Sequence, residues 1–270
     1  MGRYEAFSSL TGYASDVLVN ITVMLLIIIG GIGFLVWDDI LKCRLSFKNY
    51  SLHSKIVLVT TPVLLVGGAI GYFVFEQNYT LQGNGIGEQI LKSFFASTTM
   101  RTAGFNTIDY ASMSPSASLL SDVLMMIGGS PGSTAGGMKI TTIALVFLSM
   151  VSMLRGQSDT VIGKRRVSTI LIKQAAVIIL VYAVYILAGT MLICHIEGLP
   201  MSNVLFEVIS AVCTVGVTTG ITPHLCALSH IILIILMYGG RIGGFTLMLI
   251  LGKQNKQPPL RRPKENILIG

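Results

Sequence analysis

Residues 94–107 read FFASTTMRTAGFNT, and 112 residues later residues 206–219 read FEVISAVCTVGVTT. Each stretch has a Phe, seven residues, then Thr-x-Gly, so Thr102 falls on Thr214 and Gly104 on Gly216. Self-similarity at a fixed offset marks a repeated structural unit and constrains the fold before any single element does. In both copies the motif follows a short apolar segment, residues 86–98 and 202–213. Crossing a bilayer takes about 20 mostly apolar residues, so these segments suit re-entrant or interfacial helices.

Longer apolar segments flank them: residues 16–37, 55–75, 119–154 (broken in the middle), 170–194 and 229–251. A glycine pair recurs in three of these, as Gly30-Gly31, Gly128-Gly129 and Gly239-Gly240. The chain of 270 residues is 52% hydrophobic and 11% charged. Soluble domains carry about a quarter charged residues, so this balance belongs to an all-α polytopic membrane protein. We expect five spans and two re-entrant helices, arranged as repeated span, short helix, loop and span. The units divide as residues 1–54, a partial repeat with its loop, and residues 55–167 and 168–252, two complete repeats. Residues 253–270 form a basic tail.

The formal charge of +7 does not indicate nucleic acid, because the basic residues are scattered between apolar blocks and not gathered on one face. Their distribution instead sets orientation. Lys42, Arg44, Lys48 and Lys55 follow the first span, Arg155, Lys164, Arg165 and Arg166 follow the third, and Lys253 to Lys264 close the chain. The opposite loops hold Arg3, Lys92 and Arg101 among more numerous acids. The expected topology is a multi-pass protein of the cell membrane with its N-terminus outside and its C-terminus cytoplasmic. Cys43, Cys194, Cys213 and Cys226 show no ligand spacing and read as small packing residues. The four histidines show none either.

A short helix that enters the membrane and returns as extended chain leaves carbonyls without partners. Such backbone survives at depth only where protein buries it or where it lines a wet path. Rings of carbonyls can replace the hydration shell of a monovalent cation. Thr102-Ala103-Gly104-Phe105 and Thr214-Val215-Gly216-Val217 have that make-up; the bland alternative is a pair of ordinary loop glycines.

STTMRTAGFNT, GGSPGSTAGGMKITT, CTVGVTTGIT and RIGGFTL together resemble the Trk/Ktr/HKT potassium transporter family, most closely the membrane subunit of bacterial Ktr-type systems. The resemblance implies four channel-like units around one pore. This chain would supply the end of the second unit and all of the third and fourth. It implies K+ as the transported ion, with Na+ possible, at a filter formed by Thr102, Ala103, Gly104, Phe105, Thr214, Val215, Gly216 and Val217. Glycine at both visible filter positions favours K+. It also implies a homodimer, a cytosolic nucleotide-binding regulatory subunit and no covalently bound cofactor. A second reading is a half-transporter that conducts only with a complementary chain.

The break in the third apolar segment comprises Gly128, Gly129, Ser130, Pro131, Gly132, Ser133, Thr134, Ala135, Gly136 and Gly137. Five glycines and a proline exceed what close helix packing requires, and free backbone groups there need partners, which Ser130, Ser133 and Thr134 can supply. The frame is wrong for a nucleotide-binding loop, since Met138 precedes Lys139 and Ile140 follows it. It is also wrong for a G-x-S-x-G elbow, although an intramembrane serine hydrolase built on Ser130 or Ser133 stands as a distant rival. A flexible intramembrane gate fits best, and the family places one here. Arg241 sits within the last span, where an arginine costs about 2.5–3.5 kcal/mol and so needs partners. We expect it to donate to carbonyls of the 128–137 loop; the alternative is a structural pair with Glu207. Asp122 reads as a solvated group near a helix end, and Lys139 as a cap for loop carbonyls.

Overall fold

The computed structural model describes residues 9–44, 46–157, 159–162 and 165–242. The far end of the fifth apolar segment and the tail 253–270 lie outside the described residues. Helix α1 (Val17–Ile32) starts at Asp16, whose side chain accepts from the Val19 N–H at 3.1 Å. Segment 16–37 is not one straight helix. It bends by 90° into α2 (Phe34–Cys43), because Gly33 takes φ +91° between the two. At 1.5 Å per residue α1 is only about 24 Å long.

Helix α3 (Leu52–Glu76) is followed by α4 (Ile86–Thr99) and α5 (Pro115–Met126). Ser114 caps α5 with Pro115 in its first turn, the pairing that a helix start favours. The expected break separates α5 from α6 (Ile140–Leu154). A two-residue hairpin, β1 (Val161–Ile162) with β2 (Arg165–Arg166), is a small departure from an all-α fold. Then come α7 (Thr169–Glu197), α8 (Met201–Val212) and α9 (Ala227–Ile242). Helix α7 ends at Gly198, which is left-handed and returns its N–H to the Cys194 carbonyl, as helix C-caps commonly do.

The packing repeats as the sequence does. Helix α3 packs on α4 and α5, and α7 packs on α8 and α9. The short helix of each unit also meets the last helix of the preceding unit, α4 against α1 and α8 against α5. The same neighbour relation thus recurs along the chain.

Burial is inverted relative to a water-soluble protein. Leu26, Val63, Leu180 and Ile235 stand 63–64% exposed, while Glu76, Ser97 and Ser229 are completely buried. Water would penalise that distribution; hydrocarbon favours it. By length and composition α3 and α7 can each cross a bilayer, and α1 with α2 makes a third if the bent pair is one span.

Candidate functional site: two Thr-x-Gly loops over a glycine-rich break

The loops after α4 and α8 adopt matching backbones. Gly104 has φ +82° and Gly216 φ +91°, and Thr102 and Thr214 are also left-handed, at +66° and +52°. Glycine adopts positive φ without cost; threonine does not. A non-glycine residue there stores strain of about 1–3 kcal/mol, a cost usually found at functional sites. Its recurrence at equivalent positions makes it a property of the motif.

The loops touch each other. A Cβ built on Gly104 would lie 2.4 Å from the Val215 carbonyl oxygen, and one on Gly216 would lie 3.8 Å from the Gly104 Cα. The short helices α4 and α8 each fix one carbonyl in the loop that follows. Thr99 Oγ1 donates to the Phe105 carbonyl, and Ser210 Oγ donates to the equivalent Val217 carbonyl at 2.6 Å. The Phe105 and Val217 carbonyls, expected among the ligands, each thus accept a hydrogen bond from their own short helix. Among the described residues no hydrogen-bond donor reaches the carbonyls of Thr102, Ala103, Gly104, Thr214, Val215 or Gly216.

The 128–137 loop lies directly against both motifs. The Gly136 N–H donates to Thr102 Oγ1 at 3.0 Å. A Cβ on Gly136 would sit 1.9 Å from Thr214 Oγ1 and 2.7 Å from the Cys213 carbonyl. Only glycine allows the loop to seat between the two threonines. Its other edge docks on the α1–α2 bend. Ser130 N–H donates to the Gly31 carbonyl at 3.0 Å, Thr134 N–H to the Gly30 carbonyl at 3.3 Å, and Phe34 N–H to the Gly132 carbonyl at 3.1 Å. The orphan groups at two helix breaks thus satisfy each other, and a Cβ on Gly30 would crowd Thr134 Oγ1 at 3.1 Å, whereas one on Gly31 would meet nothing within 4 Å. Within the loop, Gly128 N–H meets the Met138 carbonyl and Ile140 N–H the Gly129 carbonyl. The Pro131 carbonyl comes within 2.7 Å of where a Cβ on Gly33 would lie.

Of the hydroxyls expected to serve the loop, Thr134 Oγ1 donates to Gly30 at 3.3 Å. Ser130 Oγ makes a 3.3 Å contact with the Pro131 carbonyl and a 3.5 Å one with His53. Ser133 Oγ is buried and has no hydrogen-bond partner among the described residues.

Two cations cap loop carbonyls. Arg241 Nη1 donates to Thr134 at 3.2 Å, and Lys139 Nζ to Ala135 at 2.7 Å. The alternative pairing of Arg241 with Glu207 is absent. Glu207 instead accepts from the Thr218 and Thr222 hydroxyls and from the Thr219 N–H, tying down the chain beyond the second motif. Asp122, expected to be solvated, is 5% exposed, because α5 packs against both α3 and α8.

A cavity of about 430 Å³ is lined by Thr102, Ala103, Thr134 and Ala135 together with Arg101, whose Nε and Nη2 are buried without partners. Another, of about 710 Å³, is lined by Ala135, Lys139, Arg241 and Tyr182. Ala135 borders both. At the far end of α4, Lys92 sits 2.8 Å from Glu88. That ammonium, with a hydrogen bond from Ser15, holds the Glu88 carboxyl below the usual carboxylate range.

Sequence reasoning missed a pair of braces. The Glu76 carboxylate, at the end of α3, accepts from the Ser114 N–H at 2.8 Å and from Thr80. Glu197, at the end of α7, accepts from the Cys226 N–H at 2.8 Å. Ser114 and Cys226 each immediately precede the last helix of their unit and stand at the same 112-residue offset as the two glycines. The glutamates themselves differ by another interval, since the loop after α3 is longer. A fixed-offset search could not pair them.

Comparison with known proteins supplies the remaining observation. The family model for TrkH, described as a cation transport protein, matches residues 6–260. The chain is 36% identical to the potassium/sodium uptake protein NtpJ of Enterococcus hirae over 97% of this chain and 59% of that protein. It is 34% identical to Ktr system potassium uptake protein B of Bacillus subtilis, with the same coverage of both chains. Its fold is similar to that of the potassium transporter TrkH from Vibrio parahaemolyticus, at TM-score 0.71 and 17% identity, covering 91% of this chain and 54% of that one. The chain thus spans about three-fifths of the length of the curated relatives it matches.

Proposed function

Because the chain belongs to the TrkH family of cation transport proteins, we propose that it forms one side of a potassium pathway across the cell membrane. The family consists of membrane cation transporters and not enzymes, so the serine-hydrolase reading of Ser130 and Ser133 falls away. One observation carries the proposal: two touching loops present six carbonyls that no donor among the described residues reaches. Unpaired carbonyls at membrane depth suit a dehydrated monovalent cation, for which they replace water. NtpJ is named for uptake of both potassium and sodium, so K+ is the proposed cargo and Na+ a secondary one.

The pathway has a filter above a gate. Thr102 to Gly104 and Thr214 to Gly216 contribute filter oxygens, with Phe105 and Val217 as the anchors of the two loops. The 128–137 loop closes the path beneath them, held by Arg241 and Lys139. Crossings are made by α1 with α2, α3, α5 with α6, and α7, and the fifth apolar segment, which includes α9, makes the last. The Thr-x-Gly loops face outward and the basic segments inward, placing the N-terminus outside and the C-terminus in the cytoplasm. Homodimerisation and a cytosolic nucleotide-binding regulator follow from the likeness to Ktr systems and belong to this proposal.

A second reading rests on length. The two Thr-x-Gly loops of the described residues form only part of a coordination shell, and in this reading a complementary chain supplies the rest. Rubidium uptake in a bacterium lacking its own potassium uptake tests both readings. Uptake by the chain alone supports a self-sufficient pore, and uptake only with the N-terminal part of a relative such as NtpJ supports the half-pore. No uptake in either arm, with both proteins present in the membrane, overturns the assignment.

A further inference from the structure

A cleft of about 880 Å³ lies between α3 and α6 on the flank of the molecule, away from the Thr-x-Gly loops. Its walls include Val59, Val63, Ile143 and Phe147. Val59, Val63 and Phe147 are 55–63% exposed, so they face whatever surrounds the protein at membrane depth. One rim is different. Lys48, Lys55 and Arg165 border the cleft from three separate segments, and among the described residues no acidic one lines it.

The cations are placed and unspent. Lys55 Nζ donates to the Lys48 carbonyl at 2.8 Å and lies 6.0 Å from the Phe47 ring centroid, which fixes it at the rim with further N–H donors available. Arg166 is matched by Asp159 at 2.7 Å. Its neighbour Arg165, on the cleft side, has no acidic partner among the described residues. An apolar trough ending in three uncompensated cations is complementary to a molecule with hydrocarbon chains and an anionic head.

We propose that this cleft binds one anionic phospholipid of the cytoplasmic leaflet, its phosphate held by Lys48, Lys55 and Arg165 and an acyl chain lying along Val59, Val63 and Phe147. The assignment to the cytoplasmic leaflet rests on the orientation proposed above; the recognition chemistry does not. Basic residues near a membrane surface each attract anionic lipid, and burial of chain methylenes adds to that attraction. The site joins α3 and α6 with the loops leading into them. Helix α6 is the arm directly behind the glycine-rich break, so lipid occupancy would brace the loop from outside the pathway.

Native mass spectrometry of the full chain in detergent, titrated with phosphatidylglycerol or with phosphatidylcholine of identical acyl chains, tests the proposal without reference to transport. The expected result is one retained phosphatidylglycerol per chain and little phosphatidylcholine. The triple variant Lys48→Ala, Lys55→Ala, Arg165→Ala should bind phosphatidylglycerol about a hundredfold more weakly. A control variant, Lys42→Ala with Arg155→Ala, should bind as the unaltered chain does and exclude a mere effect of net charge. Val63→Trp, which fills the trough and keeps the cations, should also weaken binding. Equal retention of the two lipids, or undiminished phosphatidylglycerol binding in the triple variant, would overturn it. So would efficient cross-linking between copies through Cys placed at Phe147 in lipid bilayers, since a second chain would then occupy the cleft.

Discussion

Gly104 and Gly216 hold equivalent places in their loops but differ in the room around them. Both have positive φ, so alanine at either costs about 1–2 kcal/mol of backbone strain. At Gly104 the added Cβ also meets the Val215 carbonyl at 2.4 Å, whereas at Gly216 its nearest neighbour is 3.8 Å away. Gly104→Ala should therefore impair potassium affinity more than Gly216→Ala, measured as the half-saturating potassium concentration for rubidium uptake in a complete pore. Equal effects would show that loop spacing is not what the glycines protect. Arg241 acts differently, since it contacts the 128–137 loop, which we propose closes the path, and not the Thr-x-Gly motifs. A hydrogen bond from a charged donor is worth about 1.5–3 kcal/mol, so Arg241→Ala should shift the gate towards open by about tenfold or more. Unchanged single-channel or flux activity in that variant would dismiss the latch.

Among elements, the central relation is the mutual docking of two broken helices. The α1–α2 bend and the α5–α6 break are each unsatisfactory alone, with free N–H and C=O groups at their ends. Together they share bonds through Gly30, Gly31, Ser130, Gly132 and Thr134. The buried residues of the loop are four glycines, Ser130 and Ala135, so hydrogen bonds and not large apolar side chains hold it in place. Gly136→Ala should unseat the loop from Thr102 and Thr214, since the methyl has nowhere to go. The expected phenotype is leak: rubidium efflux that no longer responds to whatever closes the pore. The glutamate braces are static by comparison. Glu76 is completely buried with three donors aimed at it, so Glu76→Ala strands them and should cost about 3 kcal/mol. Glu197→Ala, at a partly solvated site, should lower the thermal midpoint less. A comparison of detergent-solubilised variants by thermal unfolding checks that order.

Across the whole molecule, orientation is the property most open to direct measurement. Cys226 is exposed near the start of α9, and Cys43 is partly accessible at the end of α2. If the Thr-x-Gly loops face outward, a membrane-impermeant maleimide should label Cys226 in intact cells and Cys43 only after permeabilisation. Cys194, also partly accessible, is replaced by Ala to keep the readout clean. The reverse pattern would invert the topology and place the basic cleft between α3 and α6 on the wrong leaflet.

The amino-acid order alone determined the repeat, the apolar segments, the bias of basic residues and the site of the break, because each is a local property: period, length, charge or glycine content. Phe94 to Gly104 and Phe206 to Gly216 announced a shared backbone before any coordinates. The bend at Gly33 was not legible, since an apolar run looks continuous whether or not its helix is. Nor was the burial of Asp122, the left-handed threonines, or the turning of the Phe105 and Val217 carbonyls towards Thr99 and Ser210. Only the tertiary structure decided these, because each depends on what lies across a gap of many residues. A carbonyl has a partner, and a glycine is indispensable, only in view of the atom that the fold brings against it.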